Sequence, residues 1–281
     1  MSTDLPPAIV FTDWDGTVTL QDSNDYLTDN LGMGQPARLK INDLIFDNKL
    51  SFRDGFKEML ESIPTPFNEC IEYLLKNVKL DPGFKEFYKF CHERNIPIVV
   101  VSSGMTPIIT ALLTNLVGQE AVSKIEILSN DVRIDDNGKN WEIVFKDPDS
   151  HFGHDKSKSI LNYLKQHGYS NGTSDDDQGI KMFYIGDGVS DKSGAELLAK
   201  LSDSSDPTKD LQSLLFAKHG KDLIKICIRD NIPFTEFNDF GDVLNKMKKI
   251  IDDNDSINSF VENSKIAKES EELKNVKEST K

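Results

Sequence analysis

The stretch "AIVFTDWDGTV" (residues 8–18) constrains this chain more than any other: a short apolar run ends at Thr12, and Asp13 and Asp15 follow at once, separated by Trp14. The run reads as a buried strand. Two carboxylates at its end are costly, because like charges a few ångströms apart resist joint ionisation. Such pairs are kept for a metal ion, for proton transfer, or for both. Gly16 then lets the backbone leave the strand sharply. Alone, D-x-D-G also fits a calcium-type turn or a solvated loop, although it lacks the third acidic position and distant glutamate of an EF-hand.

Further runs at 96–101, 125–129, 182–185 and 213–217 join 8–12 as candidate core strands. Alternation of such runs with helical segments predicts an α/β fold, a parallel sheet flanked by helices on both faces. Residues 131–145 read as a hairpin around "DDNG", whose Asn-Gly favours a tight turn. Between the first two strands the periodicity is helical. Phe52, Phe56, Met59, Leu60 and Ile63 share one face, and Phe67, Ile71, Leu74, Leu75 and Val78 another. Thr65 is the expected N-cap of the second of these helices, with Pro66 at its first position, and "DPGFKEFYKF" repeats the Asp-cap and Pro signal. The expected organisation is a Rossmann-like core of 1–19 and 84–251, an inserted α-helical cap of 20–83, and a polar, disordered tail of 252–281. A lid directly after the aspartate pair can close over chemistry at the strand end. Loops are expected at 170–179 and 202–210.

A content of 37% hydrophobic residues supports an ordinary core. Neither a basic, apolar leader nor a run of the roughly 20 apolar residues needed to span a bilayer is evident. Cys70, Cys91 and Cys227 are far apart and form no CxxC pair, which fits a reducing cytosol. The formal charge of −14 argues against nucleic acid and membrane surfaces as partners. It also poses a problem for any phosphorylated substrate, which needs local positive charge. Oligomeric state is not readable.

Four stretches can converge beyond the carboxyl ends of the strands: "FTDWDGT" (11–17), "VVVSSGM" (99–105), "HDKSKS" (154–159) and "YIGDGVSD" (184–191). Asp13 can attack phosphorus to give an aspartyl-phosphate. Asp15 can protonate the leaving alkoxide and then take a proton from water. Mg²⁺ suits oxygen ligands, which Asp13, the carbonyl of Asp15 and Asp187 can supply. Asp191 can orient metal-bound water or a lysine. Thr17, Ser102, Ser103 and Gly104 offer hydroxyls and amides to phosphate, Ser102 and Ser103 competing for one role. Lys156 and Lys158 compete as the fixed cation near a helix start.

This ordered set resembles the haloacid dehalogenase superfamily of phosphatases. Asp13, Asp15 and Thr17 match its first motif, Ser102 its second, Lys156 its third, and Asp187 with Asp191 its fourth. The helical insertion is similar to the cap of phosphoserine phosphatases, of fungal polyol phosphatases related to them, and of methionine-salvage and phosphoethanolamine/phosphocholine phosphatases. The resemblance implies a Mg²⁺-dependent phosphomonoesterase acting on a small metabolite in the cytoplasm. Met59 stands where phosphoserine phosphatases carry a carboxylate-binding arginine, with Arg53 and Lys57 nearby but off the apolar stripe. A neutral sugar or sugar-alcohol phosphate is therefore expected over phosphoserine.

Asp22, Asn24 and Asp25 in "LQDSNDYL" suit hydroxyl or amine groups, or simply open a helix. His151 and His154 form an H-x-x-H pair that fits either zinc or ordinary loop residues. Trp14 and the cap phenylalanines are expected in packing. A dehalogenase, or a non-catalytic regulatory protein on the same scaffold, are the rival readings.

Overall fold

The computed structural model describes residues 6–169, 180–202 and 212–262. Its centre is a seven-stranded sheet in the order β4-β3-β2-β1-β5-β6-β7. The strands are β1 (Ala8–Thr12), β2 (Ile98–Met105), β3 (Glu126–Ile134), β4 (Trp141–Val144), β5 (Lys181–Gly186), β6 (Ser213–Lys218) and β7 (Thr235–Phe237). All neighbours are parallel except β3 and β4, which form the expected antiparallel hairpin. The five expected strands are present, and β7 is an addition.

The central strands are buried on both sides, so their sequence is continuously apolar while alternate residues feed different cores. Val10, Ile98 and Val100 pack with Phe84 and Phe87 of α5 (Phe84–Glu93), with α6 (Thr106–Leu116), and with Phe240 of α11 (Phe240–Ile251). Ile9, Phe11, Val99 and Val101 pack on the other face against α8 (Lys156–Gln166), α9 (Lys192–Ser202) and α10 (Asp222–Asp230). A short α7 (Gln119–Lys124) leads into β3.

Between β1 and β2 lie α1 (Ser23–Leu31), α2 (Gln35–Phe46), α3 (Phe52–Glu61) and α4 (Phe67–Asn77). Phe56, Leu60, Phe67 and Leu74 join the core on one face of the sheet. Met59 packs instead with Ile41 and Ile45 in a small separate cluster. The chain leaves and re-enters the sheet region through paired linkers: Leu20 N–H donates to Lys79 O at 2.8 Å and Asp81 N–H to Val18 O at 2.9 Å. The four helices are therefore joined to the sheet region through a pair of linkers that begins shortly after β1.

Three local expectations change. The N-cap of α4 is Pro66, with no side-chain cap. The Thr65 carbonyl is taken by the Trp141 indole N–H at 2.9 Å. Gly83, rather than an aspartate, is the N-cap of α5. Asp81 instead binds the Gly83 and Phe240 amides through Oδ1, joining two helix starts far apart in sequence. The tail does not begin at 252, because Ile257–Phe260 form a 3-10 turn in which Ile257 is buried. An apolar side chain with a core to enter orders a short polar segment. Residues 263–281, the segment 170–179 and most of 202–210 lie outside the described residues.

Candidate active site

The site is built on the turn after β1. Gly16 has φ of +74°, and a Cβ there would lie 2.5 Å from Asp187 Oδ2. Glycine is required both by the backbone conformation and by the close approach of the fourth-motif loop. Among the described residues, carboxylate oxygens of Asp13, Asp187 and Asp191 fall within 4.8 Å of one another. Burial raises the pKa of Asp13 well above the usual carboxylate range, and the charge of Asp191 adds to it. Asp187 is raised to about 7 by the same two causes.

Asp191 is already saturated. Oδ1 accepts from Lys156 Nζ and from the Tyr184 hydroxyl, each at 2.6 Å, and Oδ2 accepts from the Asp187 and Gly188 amides at 2.9 Å. It therefore orients a lysine and shapes its own loop, while Asp13 and Asp187 remain the oxygen donors of the cluster. Lys156 is fully buried and also donates to Asp13 Oδ1 at 2.9 Å. Burial disfavours its charge, yet Asp13 and Asp191 together hold its pKa above the ordinary lysine value. Lys158 points away, exposed and paired with Asp147. The first turn of α8 thus directs Lys156 inward to Asp13 and Asp191 and Lys158 outward.

Asp15 meets the start of α1. Its Oδ1 accepts from Ser23 N at 2.8 Å and its Oδ2 from Asn24 Nδ2 at 2.9 Å. Burial first, and the charge of Asp22 second, raise its pKa to about 7. Asp22 is the N-cap of α1 and binds the Asn24 and Asp25 amides. These residues border a cavity of about 210 Å³ between the helices that follow β1 and the sheet, floored by Asp13, Asp15, Ser102 and Asp187. Phe52, Phe56, Met59 and Ile45 give it an apolar wall, and Asp22, Asn24, Asp25 and Asn42 a polar one. Phe52 and Phe56 thus pack and line the cavity at once. Lys221, 3.6 Å from Asp187, is the cation among the described lining residues. Neither Arg53 nor Lys57 reaches the cavity; they pair with Asp54 and Glu61 on the surface.

Ser102, Ser103 and Gly104 continue β2 past its apolar run and line the cavity. Ser102 Oγ accepts from Gly104 N at 3.0 Å, whereas Ser103 Oγ is buried without a partner among the described residues. Thr17 is buried behind the turn, outside the cavity wall, and its hydroxyl is likewise unpartnered.

His154 is a loop residue before α8, one of the two readings offered by the sequence, but a buried one. It is fully buried and bridges Ser102 O and Ser159 Oγ, both at 2.7 Å, while His151 is exposed. Nδ1 carries the proton given to the Ser102 carbonyl, which leaves Nε2 to accept from Ser159. Burial lowers its pKa from 6.5 to about 4, against the opposing pull of the Ser102 carbonyl. Between those values the unfolded chain binds more protons than the native one, so stability is complete above about pH 6.5 and lost as pH falls toward 4. This residue is expected to cost about 2 kcal/mol between pH 7.5 and pH 5 in urea denaturation. His154→Gln should remove that part of the pH dependence.

Sequence reasoning missed Lys218, at the end of an apolar run. Its Nζ donates to Gly16 O at 2.8 Å and lies 3.9 Å from Asp81, so it holds the turn after β1 and faces the linker into α5. It also missed Arg38, whose guanidinium binds Asp25 and Asp29 at 2.6 Å each. Neither position carries a local motif; only the α-helical face of Arg38 and the strand end of Lys218 could have marked them.

Paired aspartates after the central strand, a serine after its neighbour, and a buried lysine bridging the first and fourth acidic stretches define a class of hydrolases. The chain belongs to the haloacid dehalogenase-like hydrolase family, whose model matches residues 10–196. Among individual proteins, it is 49% identical over 256 residues to polyol phosphate phosphatase PYP1 of Saccharomyces cerevisiae, covering 91% of this chain and 99% of that one. It is 45% identical over 241 residues to Pdp3-interacting factor 1 of Schizosaccharomyces pombe, covering 86% and 95%. In fold it resembles a substrate-bound phosphoserine phosphatase, with a TM-score of 0.55 at 17% identity over 79% of this chain and 91% of that one. No helix among the described residues is long and apolar enough to cross a membrane.

Proposed function

We propose that the protein is a phosphomonoesterase acting on a small polyol or sugar phosphate in the cytoplasm, with residues 20–83 as its cap. The observation that carries this reading is the meeting of Asp13, Asp15 and Asp187 at one cavity floor, with the buried Lys156 ammonium bonded to Asp13 beneath it. A carboxylate oxygen of Asp13 attacks phosphorus, the ester P–O bond breaks, and the departing alkoxide takes the proton of Asp15. An Asp15 pKa raised to about 7 suits that donor role near neutral pH. Asp15, now ionised, takes a proton from water, whose oxygen attacks the phosphorus of the acyl-phosphate and frees Asp13. Lys156 holds Asp13 in place and offsets its charge. Ser102, Ser103 and Gly104 receive the phosphate oxygens.

The crowded oxygens of Asp13 and Asp187 fit a divalent cation, since burial and the Asp191 charge oppose their ionisation and an added positive charge favours it. Mg²⁺ held by those carboxylates and the Asp15 carbonyl would supply charge neutralisation for the phosphoryl group. The polar wall supports a neutral substrate. Arg38 is spent on Asp25 and Asp29, so a substrate carboxylate would meet acids without a guanidinium. The similarity to a polyol phosphate phosphatase points the same way.

Phosphate release from glycerol 3-phosphate and p-nitrophenyl phosphate should stop in EDTA and return on adding Mg²⁺. Undiminished phosphate release in EDTA overturns the role of the cation, and no release with or without Mg²⁺ overturns the reading and favours dehalogenase-type chemistry.

A further inference from the structure

Asn24 is 3% exposed, yet it lines the cavity. Its Nδ2 donates to Asp15 Oδ2, which fixes the amide, and its Oδ1 has no hydrogen-bond partner among the described residues. A buried acceptor left unpaired costs as much as a lost hydrogen bond, so its retention at a cavity wall requires an explanation. Gly104 faces the same spot: a Cβ there would lie 2.8 Å from Asp15 Oδ2 and 3.3 Å from Asn24 Nδ2. Any larger residue would fill the space in front of the pair.

We propose that Asn24 is a specificity-determining residue that accepts a hydrogen bond from a hydroxyl on the carbon adjacent to the one that bears the ester oxygen. This rests on the phosphatase reading. Asp15 gives its proton to the ester oxygen, and the Asn24 amide, bonded to Asp15 through Nδ2, carries its buried, unpaired oxygen one group further from that point. A vicinal hydroxyl spans that step, so a ring of contacts closes over a single carbon–carbon bond. Oδ1 is an acceptor and repels a carboxylate at this place. The acids beside it are already engaged: Asp22 holds the Asn24 and Asp25 amides, and Asp25 holds Arg38. The wall therefore asks for a neutral donor more than for an ammonium group. The substrate class is a monophosphate of a vicinal diol.

The test compares glycerol 3-phosphate with 3-hydroxypropyl phosphate, which lacks only the middle hydroxyl, and with 2-aminoethyl phosphate. The native protein should favour glycerol 3-phosphate over both in kcat/KM by on the order of tenfold or more. Asn24→Ala should slow all three substrates by loosening Asp15, and should also collapse the preference to within about threefold. The ratio is the decisive readout, because a structural role alone lowers all rates together and leaves it unchanged. If the alanine variant fails to fold, Asn24→Ser gives the same comparison. Equal native rates, a preference for the amine, or a ratio insensitive to both variants overturns the proposal while leaving the phosphatase reading intact. Hydrolysis of none of the three overturns both.

Discussion

Asp13→Asn is expected to lower phosphate release from p-nitrophenyl phosphate by at least about a thousandfold while leaving the far-UV circular dichroism spectrum unchanged. The amide matches the carboxylate in shape but cannot form the acyl-phosphate, so the chemical step disappears rather than slowing. Stability should move the other way in the metal-free protein. Burial and Asp191 already favour the neutral form of Asp13, so removing its charge relieves repulsion in the cluster. The melting temperature of the variant without metal should equal or exceed that of the native protein. Mg²⁺ should then raise the melting temperature of the native protein more than that of the variant, since a ligand bound only to the folded state stabilises it in proportion to its affinity. Retained turnover in Asp13→Asn would remove the nucleophile from the scheme.

The parts of this molecule that were legible in the sequence are those written in local patterns. Val99, Val100 and Val101 form an apolar run because the strand beneath them is covered on both faces. The reading stopped at Val101 although β2 runs to Met105, since Ser102, Ser103 and Gly104 interrupt the apolar pattern in order to face the cavity. The functional residues are the ones that break the structural rule. β7 escaped notice because a three-residue edge strand carries too little periodicity. Asp81 was legible as a cap but not as the cap of the right helix, because the Phe240 amide it binds lies 159 residues away. His154 and Lys218 are cases of the same kind. A buried polar side chain finds its partner through the tertiary fold, and sequence spacing holds no record of that partner. Lys156 differs only because its partners are themselves motif residues, so the order of the motifs implied the contact before any distance was known.

That contact sets the second large effect. Lys156 is 0% exposed, and its ammonium is shared between Asp13 and Asp191, themselves buried. Replacing it with methionine keeps the volume of the stem and deletes the charge, leaving two carboxylates facing each other in a dry site. Breaking a buried pair in this way typically costs about 3–5 kcal/mol, because the remaining charge is stranded. Lys156→Met should therefore show a much lower midpoint in urea denaturation and no measurable turnover. Adding Mg²⁺ should recover part of the stability, by putting a cation back among the same acids, without recovering turnover, because Asp13 is no longer held. Lys158→Ala supplies the contrast. Its ammonium is exposed and pairs with Asp147 outside the cavity, so the cost should stay within about 1 kcal/mol, with activity near native. The two lysines sit two residues apart on one helix, carry the same charge and differ in burial and in partners. Loss of activity in Lys158→Ala, or its survival in Lys156→Met, would place the catalytic cation on the wrong face of α8.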